Sequence, residues 1–162
     1  MIEYRLAKPA DCANLSALSI QVWLDTYAIE GVKDSFSDYL FGSFLPEHFE
    51  NKLSNNRYAM IVAIRDDYLL GYIMLDFKSF HKTPDNGFEI SRLYVSQHFK
   101  GQGIGKQLLN EMDNAYGKKC WLAAYSGNIA AISFYKYLGF KDIDSAIFIL
   151  NDEKVENRIL AK

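Results

Sequence analysis

A glycine-rich turn between two lysines has the residue types and spacing of an anion-binding loop. Residues 100–106 read Lys-Gly-Gln-Gly-Ile-Gly-Lys, after a β-prone run and before a helical pattern of apolar residues. Glycine lets a ligand approach the backbone, and the free amides and dipole at a helix start favour phosphate. Lys106 falls in the first helical turn, where a cation is unfavourable by about 0.3–1 kcal/mol unless an anion binds nearby. The turn therefore predicts a phosphate site; the alternative is a glycine-rich connection with solvated lysines.

Two common phosphate-binding motifs do not match this turn. The dinucleotide pattern Gly-x-Gly-x-x-Gly, started at Gly101, needs a glycine where Lys106 stands. The Walker A pattern that ends at Lys106 needs a glycine where Lys100 stands, and Ser or Thr in place of Gln107. Neither a Rossmann nor a P-loop nucleotide site is therefore expected.

Two separate motifs resemble those of one family, the GNAT N-acetyltransferase superfamily. Residues 100–105 resemble its acyl-coenzyme A signature, Arg/Gln-x-x-Gly-x-Gly/Ala, although Lys100 replaces the usual arginine or glutamine while keeping a positive charge. Residues 128–140 resemble its pattern Asn-x-x-Ala-x-x-x-Tyr-x-x-x-Gly-Phe. Both motifs occur in the family's order and at its separation. On these residues the chain is identified as a member of the superfamily.

The resemblance implies acetyl-coenzyme A as co-substrate and assigns its binding to three places. These are the strand end before the turn, the turn itself and the second motif. Asn128 also follows Ser-Gly at a helix start, so an N-cap role is expected as well. The implied binding residues are Leu93, Tyr94, Val95, Lys100, Gly101, Gln102, Gly103, Ile104, Gly105, Lys106, Asn128, Ala131 and Tyr135.

The resemblance also implies catalytic roles. Tyr135 would be the general acid that protonates the departing thiolate; as a purely structural residue it would be a core aromatic. Glu89 matches a position that is often acidic in the family and is the candidate general base; the alternative is an ordinary strand glutamate that faces solvent or pairs with Arg92. His81, His98 and bulk water compete for the base role. Ser91 stands where relatives often carry a second acid.

The acceptor is expected to be an amine. Ala123 replaces a glutamate found in some protein N-terminal acetyltransferases, and the helix around Trp23 and Tyr27 resembles the bacterial polyamine (spermine/spermidine) branch of the superfamily. Six carboxylates between residues 25 and 50 face one lysine, which is either a solvated helical face or an acidic rim for a cationic substrate. Tyr27, Glu89 and Ser91 are the candidate acceptor-binding residues. The predicted activity is direct acetyl transfer to a small cationic amine; the alternatives are a protein acetyltransferase and a non-catalytic acyl-coenzyme A sensor.

Composition and length further limit the kind of protein that this sequence can encode. The 162 residues, 49% hydrophobic, suit one folded domain over 1–162, and a net charge of −2 argues against a nucleic-acid binder with a broad basic surface. The sequence shows no membrane span and no signal peptide, so a cytoplasmic enzyme is expected. Two cysteines and three histidines without ligand spacing predict neither a disulfide framework nor a metal site. A homodimer, which many members of the superfamily form, stays open.

Hydrophobic periodicity predicts an α/β (α+β) chain of the GNAT fold. The predicted order, β-α-α-β-β-β-α-β-α-β-β, forms a mixed, mostly antiparallel sheet with helices on its faces. The family resemblance implies that this sheet splays at the strand before the glycine-rich turn. Predicted strands are 2–6, 57–64, 68–77, 88–95, 119–125, 140–150 and 155–161, the last two joined around Asn151 and Asp152; predicted helices begin near residue 8 and cover 36–44, 46–53, 104–112 and 128–138.

Overall fold

One seven-stranded sheet organises residues 1–150 and 152–162, which the computed structural model describes. The strands are β1 (Glu3–Leu6), β2 (Tyr58–Arg65), β3 (Tyr68–Asp76), β4 (Phe88–Val95), β5 (Cys120–Tyr125), β6 (Lys141–Leu150) and β7 (Glu153–Ala161). The helices are α1 (Cys12–Tyr27), α2 (Asp34–Ser43), α3 (Pro46–Leu53), α4 (Ile104–Tyr116) and α5 (Ile129–Tyr137).

The sheet has the order β1-β2-β3-β4-β5-β7-β6. Neighbouring strands are antiparallel except β4 and β5, which are parallel. A parallel pair needs a long crossover, and α4 supplies it between these two strands. The mixed, mostly antiparallel sheet that the sequence predicts is therefore confirmed.

The N-terminal half contains one helix more than the predicted order. Three helices, α1 to α3, separate β1 from β2; the predicted helical segments 36–44 and 46–53 are both present, although the predicted order counted only two helices here. Leu45 is extended, with φ −66° and ψ 154°, and Pro46 begins α3. A residue before proline is disfavoured in the α region, so the helix must break here.

Two hydrophobic clusters pack on opposite faces of the sheet. One lies under α4 and α5 and includes Leu108, Met112 and Tyr135. The other lies under α1 to α3 and includes Leu15, Phe49 and Tyr72. Alternate residues of a strand point to opposite faces, so β4 contributes Ile90 to the first cluster and Tyr94 to the second, whereas β5 contributes Cys120, Leu122 and Ala124 to the first.

A two-residue turn closes the β2–β3 hairpin. Asp66 and Asp67, between β2 and β3, both have positive φ, 49° and 69°, as a tight two-residue turn of this hand requires. In the predicted β6–β7 turn, Asn151 lies outside the described residues. Among residues 1–150 and 152–162, no helix combines the length and apolar character needed to cross a membrane.

Candidate active site

The glycine-rich turn ends in an uncapped helix N-terminus. Gly101 and Gly103 have φ of 78° and 81°, in the left-handed region that favours glycine. Gly103 is the N-cap of α4 and offers no side chain to the first-turn amides, which stay free for a ligand. A Cβ added at either glycine would meet no other atom within 4 Å, so the space over the backbone is open. The turn therefore has the shape and polarity of an anion cradle.

Among the remaining residues of the glycine-rich turn, Gly105 allows close helix packing and the two lysines carry positive charge. A Cβ added at Gly105 would lie 3.3 Å from Cζ of Phe134, so this glycine lets α4 pack closely against α5. Lys100, Gln102 and Lys106 are exposed beside the free amides. The two ammonium groups add to the positive end of the α4 dipole, which favours a polyanion.

β4 and β5 separate immediately beyond their first residues. The register pairs Phe88 with Cys120 and Glu89 with Trp121, and the pairing ends there. On its other edge β4 carries a bulge at Ser91, because Leu75 pairs with Ile90 and Met74 pairs with Arg92. A bulge increases strand twist and bends the strand, which accounts for the splay. The splay predicted from the family resemblance is thus confirmed.

The splay leaves backbone groups of β4 without a strand partner. The Ser96 amide donates to the Leu70 carbonyl of β3 at 2.9 Å. Backbone groups alternate between the two edges of a strand, so those of Leu93 and Val95 face the gap towards β5 and those of Tyr94 face β3. The Tyr94 side chain packs against Tyr72, with ring centroids 5.7 Å apart. Leu93 and Val95 thus present hydrogen-bonding groups to a ligand between the strands.

Asn128 caps the helix that carries the second motif. Its Oδ1 accepts a hydrogen bond from the Ala131 amide at 3.2 Å, which confirms the predicted N-cap. The cap fixes the entry of α5 directly beyond β5. Asn128 therefore lies at the N-terminus of α5, three residues after the end of β5.

Tyr135 lies on α5 in the cluster under α4 and α5, with 8% of its surface exposed. Its ring is 5.5 Å from the ring of Phe140, centroid to centroid. Burial, and the nearby Cys120 thiol, raise the pKa of the phenol well above its ordinary value. The hydroxyl therefore stays protonated at neutral pH, as a proton donor must.

Neither cysteine has the character of a nucleophile. Burial raises the pKa of the Cys120 thiol to about 12, and it raises the pKa of the Cys12 thiol as well. The thiolate is the reactive form of cysteine, so both thiols are inert at neutral pH. This favours acetyl transfer without a cysteine intermediate.

Glu89 is a partly buried carboxylate at the start of the gap. Burial raises the pKa of Glu89, a hydrogen bond with the Ser79 hydroxyl opposes this, and Asp76 adds to the rise. Arg92 does not pair with it among the described residues; its guanidinium lies over the ring of Phe44, 4.5 Å from the centroid. A carboxylate with a raised pKa is a better proton acceptor than an exposed one.

A cavity of about 450 Å³ opens at the far end of β5. We call it the β5-end cavity. Tyr27 and Tyr125 form an aromatic wall with ring centroids 5.4 Å apart, and burial raises the pKa of Tyr27 to about 12. The lining comes from α1, α2, the end of β5 with the two residues after it, and the β6–β7 hairpin: Tyr27, Phe36, Tyr125, Ser126, Gly127, Leu150, Glu153, Lys154, Val155 and Glu156.

A second cavity, of about 490 Å³, adjoins the first. We call it the α1–α2 cavity, since Ile29, Glu30 and Lys33 of that loop line it. Tyr27 and Phe36 line both cavities. Aromatic faces beside carboxylates are suited to a desolvated ammonium group.

The structure brings some predicted acceptor residues together and separates others. Tyr27 lines both cavities, whereas Glu89 and Ser91 are outside both among the described residues. The Ser91 hydroxyl donates to the Met74 carbonyl at 3.1 Å and belongs to the bulge. Tyr125, at the cavity, follows Trp121, beside Glu89, by four positions along β5, which is about 13 Å in an extended strand.

The two histidine candidates lie in the loops on either side of β4. His98 is exposed in the short turn Gln97–Phe99. His81 Nε2 lies 3.0 Å from Oδ2 of Asp144 on β6, and its ring is 5.4 Å from that of Trp121. Lys82 pairs with the same carboxylate. His81 thus anchors the β3–β4 loop to β6, which satisfies its imidazole structurally.

Sequence reasoning missed most of the cavity. Phe36, Tyr125 and the two glutamates Glu153 and Glu156 come from three different parts of the chain, α2, β5 and β7, and no local pattern brings them together. Of the six carboxylates between residues 25 and 50, only Glu30 lines a cavity among the described residues, and all six are exposed. Only the sheet order, which places the β6–β7 hairpin beside β5, could have brought the missed residues to attention.

Known proteins share both the sequence pattern and this architecture. The Acetyltransferase (GNAT) family matches residues 21–140. A spermidine N(1)-acetyltransferase of Thermoplasma acidophilum is 29% identical over 166 residues, which cover 96% of this chain and 99% of that protein. The crystal structure of PaiA N-acetyltransferase from Thermoplasma acidophilum in complex with coenzyme A has a TM-score of 0.80 at 25% identity, over 100% of this chain and 99% of that one. Arabidopsis thaliana NAA60 with a bisubstrate analogue shares the fold, with a TM-score of 0.71 at 19% identity over 100% and 97% of the chains.

The chain belongs to the GNAT acetyltransferase family. It is an N-acetyltransferase, and acetyl-coenzyme A is its co-substrate. The two Thermoplasma comparisons agree with the predicted resemblance to the polyamine-type branch. The residues present fit the co-substrate, because the open glycine turn suits a pyrophosphate and the unpaired edge of β4 suits an amide-containing arm. Among residues 1–150 and 152–162, no group of three or more His, Cys, Asp or Glu side chains could hold a metal ion.

Proposed function

We propose that this N-acetyltransferase acts on a small cationic primary amine, such as a polyamine, and that residues 1–162 serve as one catalytic domain. The observation that carries the proposal is the β5-end cavity, where aromatic rings and the carboxylates of Glu153 and Glu156 surround a space of about 450 Å³. An ammonium group gains from both kinds of neighbour. The spermidine acetyltransferase among its relatives supports the same acceptor class.

The co-substrate supplies an activated acetyl group as a thioester. We assign the amides of Gly101 to Lys106 and the ammonium groups of Lys100 and Lys106 to its pyrophosphate. The gap-facing groups of Leu93 and Val95, with Asn128, hold the arm between β4 and β5. Such contacts fix the acetyl group in line with the amine, and a gap-facing amide polarises the carbonyl.

Glu89 acts as the general base in this proposal. The amine must lose a proton before it can attack, and Glu89 accepts this proton directly or through a water molecule. Glu89 and the β5-end cavity are separated by about 13 Å along β5, a distance that only an elongated amine spans. The separation therefore favours a polyamine over a compact acceptor.

Tyr135 acts as the general acid. Its phenol donates a proton to the departing thiolate sulfur. Burial disfavours both anions, so it raises the proton affinity of the thiolate as well as that of the phenolate. The phenol then remains a competent donor despite its raised pKa.

A panel of amine classes tests the proposal. Release of coenzyme A from acetyl-coenzyme A is measured with spermidine, an aminoglycoside, a lysine-containing peptide and a peptide with a free N-terminus. We expect turnover with spermidine and much slower turnover with both peptides. Preferred turnover of a peptide would establish the alternative, a protein acetyltransferase, and no turnover with any amine would establish a non-catalytic acyl-coenzyme A sensor. A homodimer and a cytoplasmic location stay predictions from the sequence.

A further inference from the structure

A lysine of the chain itself lies where a ligand ammonium would bind. Lys33, the N-cap of α2, forms an ion pair with the carboxylate of Glu153 on β7. Its Nζ also lies over the ring of Phe36, 4.8 Å from the centroid. One carboxylate and one aromatic face are the groups that proteins combine to bind an amine. Here both are engaged by an internal primary ammonium.

The ion pair lies where the two cavities meet. Glu153 lines the β5-end cavity, Lys33 lines the α1–α2 cavity, and Phe36 lines both. The pair therefore links the loop before α2 to the β6–β7 hairpin across the boundary between the two spaces.

Of the two glutamates that line the β5-end cavity, Glu153 is the one whose charge Lys33 neutralises. Glu156, on the same hairpin, lies 3.9 Å from Nη1 of Arg158 and so already has a cationic neighbour. Glu30 lines the α1–α2 cavity, and Lys154 lines the β5-end cavity. Without the Lys33 ammonium, the Glu153 carboxylate would face the cavity unbalanced and would attract a cation.

The Lys33–Glu153 pair is one that a ligand can replace. Both side chains are half exposed, at 50% and 54%, and exposed ion pairs contribute little to stability. The Phe36 ring is fixed by Trp23, with centroids 5.1 Å apart, so the aromatic face stays in place when the lysine leaves. A ligand ammonium therefore finds a preformed subsite.

We infer that Glu153 and Phe36 form a subsite for a second ammonium group of the acceptor, and that Lys33 occupies this subsite until the acceptor displaces it. The inference rests on the proposed function, because it concerns the same cavity. It defines the acceptor as a linear diamine or polyamine whose reacting amine points towards the gap between β4 and β5. A monoamine cannot displace Lys33 and gains nothing from the subsite.

Paired substrates test the inference. The KM values of a linear diamine and of a monoamine of the same length are measured for the wild type and for Lys33→Met. The variant should lower the KM of the diamine about twofold to fivefold, as expected for removal of one competing exposed ammonium, and leave that of the monoamine unchanged. Lys118→Met, an exposed lysine outside both cavities, is the control for net charge.

A second variant, Glu153→Gln, tests whether the effect of Lys33→Met depends on the Glu153 carboxylate. Glu153→Gln should raise the KM of the diamine, and Lys33→Met should give no gain in the Glu153→Gln background, because the lysine then competes for nothing. An equal effect of Lys33→Met on both amines, no effect on the diamine, or a gain that persists in the double variant would each overturn the inference. Turnover of no small amine at all would instead overturn the proposed function.

Discussion

At the scale of single residues, the proposed chemistry depends on two ionisable groups with opposite tasks, the buried Tyr135 and the partly buried Glu89. Tyr135 must hold a proton and Glu89 must accept one. Burial raises the pKa of both, which keeps the phenol protonated and makes the carboxylate more basic. Burial thus tunes both the Tyr135 acid and the Glu89 base for their proposed roles.

Removal of the Tyr135 hydroxyl separates chemistry from binding. Tyr135→Phe should lower kcat by about 10²- to 10⁴-fold, the usual contribution of a positioned proton donor, while the affinity for acetyl-coenzyme A is retained. Steady-state kinetics and calorimetric titration measure the two quantities. Tyr137→Phe on the same helix, where the side chain is 83% exposed, is the control. An unchanged kcat in Tyr135→Phe would remove the phenol from the mechanism.

The pH dependence of kcat/KM tests Glu89. A general base works in its ionised form, so activity should rise with pH through its pKa, which burial places above the ordinary value. Ser79→Ala removes the hydrogen bond that lowers this pKa and should move the acidic limb of the profile to higher pH. Glu89→Gln should abolish the limb and reduce the rate. A limb that does not move in Ser79→Ala would assign it to another group.

At the scale of elements, the two ends of α4 serve different purposes. Gly103 at its start and Gly117 at its end both have positive φ, 81° and 94°, and open space around them. Only the start carries free amides next to Lys100 and Lys106. Co-substrate binding should therefore be sensitive to one end of the helix and not to the other.

Alanine substitutions at Gly103 and Gly117 separate the effect of backbone strain on stability from the effect on acetyl-coenzyme A binding. Gly103→Ala and Gly117→Ala should each destabilise the fold by about 1–3 kcal/mol, the cost of a side chain at a positive φ. Gly103→Ala should also weaken acetyl-coenzyme A binding at least tenfold, while Gly117→Ala should not. Urea unfolding and calorimetric titration check the pair. Equal affinities in the two variants would show that the turn does not bind the pyrophosphate.

Local patterns sufficed to predict the elements that hold the co-substrate. The glycine turn, the Asn128 cap and the strand before the turn depend on contacts within a few residues, so their types and spacing show in the sequence. The break at Pro46 was visible too, and 36–44 and 46–53 were predicted as separate helices, although the predicted order counted one helix too few. The acceptor cavity was not predictable in the same way, because Tyr125 and Glu153 meet only through the register of β5, β7 and β6.

At the scale of the whole molecule, ion pairs connect parts of the chain that lie far apart. The guanidinium of Arg5 on β1 holds the pKa of Asp11 before α1 below its usual range. Arg158 lowers the pKa of Asp142 between β7 and β6, and Lys82 with His81 lowers that of Asp144. These pairs attach both edges of the sheet to their neighbours.

The ion pairs of Asp11, Asp142 and Asp144 make the stability of the fold depend on pH. A carboxylate whose pKa is lower in the folded state stabilises the protein above its unfolded pKa, about 3.9, and this contribution disappears as the pH falls through the folded value. The urea midpoint of unfolding should therefore decrease below about pH 4. Arg5→Met should weaken this dependence, because the Asp11 pKa then returns towards normal. Arg65→Met, whose guanidinium lies over the ring of Phe99, should leave the dependence unchanged.

The most direct test of the central claim is an internal competition for the acetyl group. Spermidine and a peptide with a free N-terminus and a lysine are offered together at equal concentration, and the acetylated products are quantified by mass spectrometry. Their ratio equals the ratio of the two kcat/KM values. The cavity of Tyr27, Tyr125, Glu153 and Glu156 predicts that N-acetylspermidine exceeds acetylated peptide at least tenfold. A product mixture dominated by acetylated peptide would contradict the proposed acceptor class.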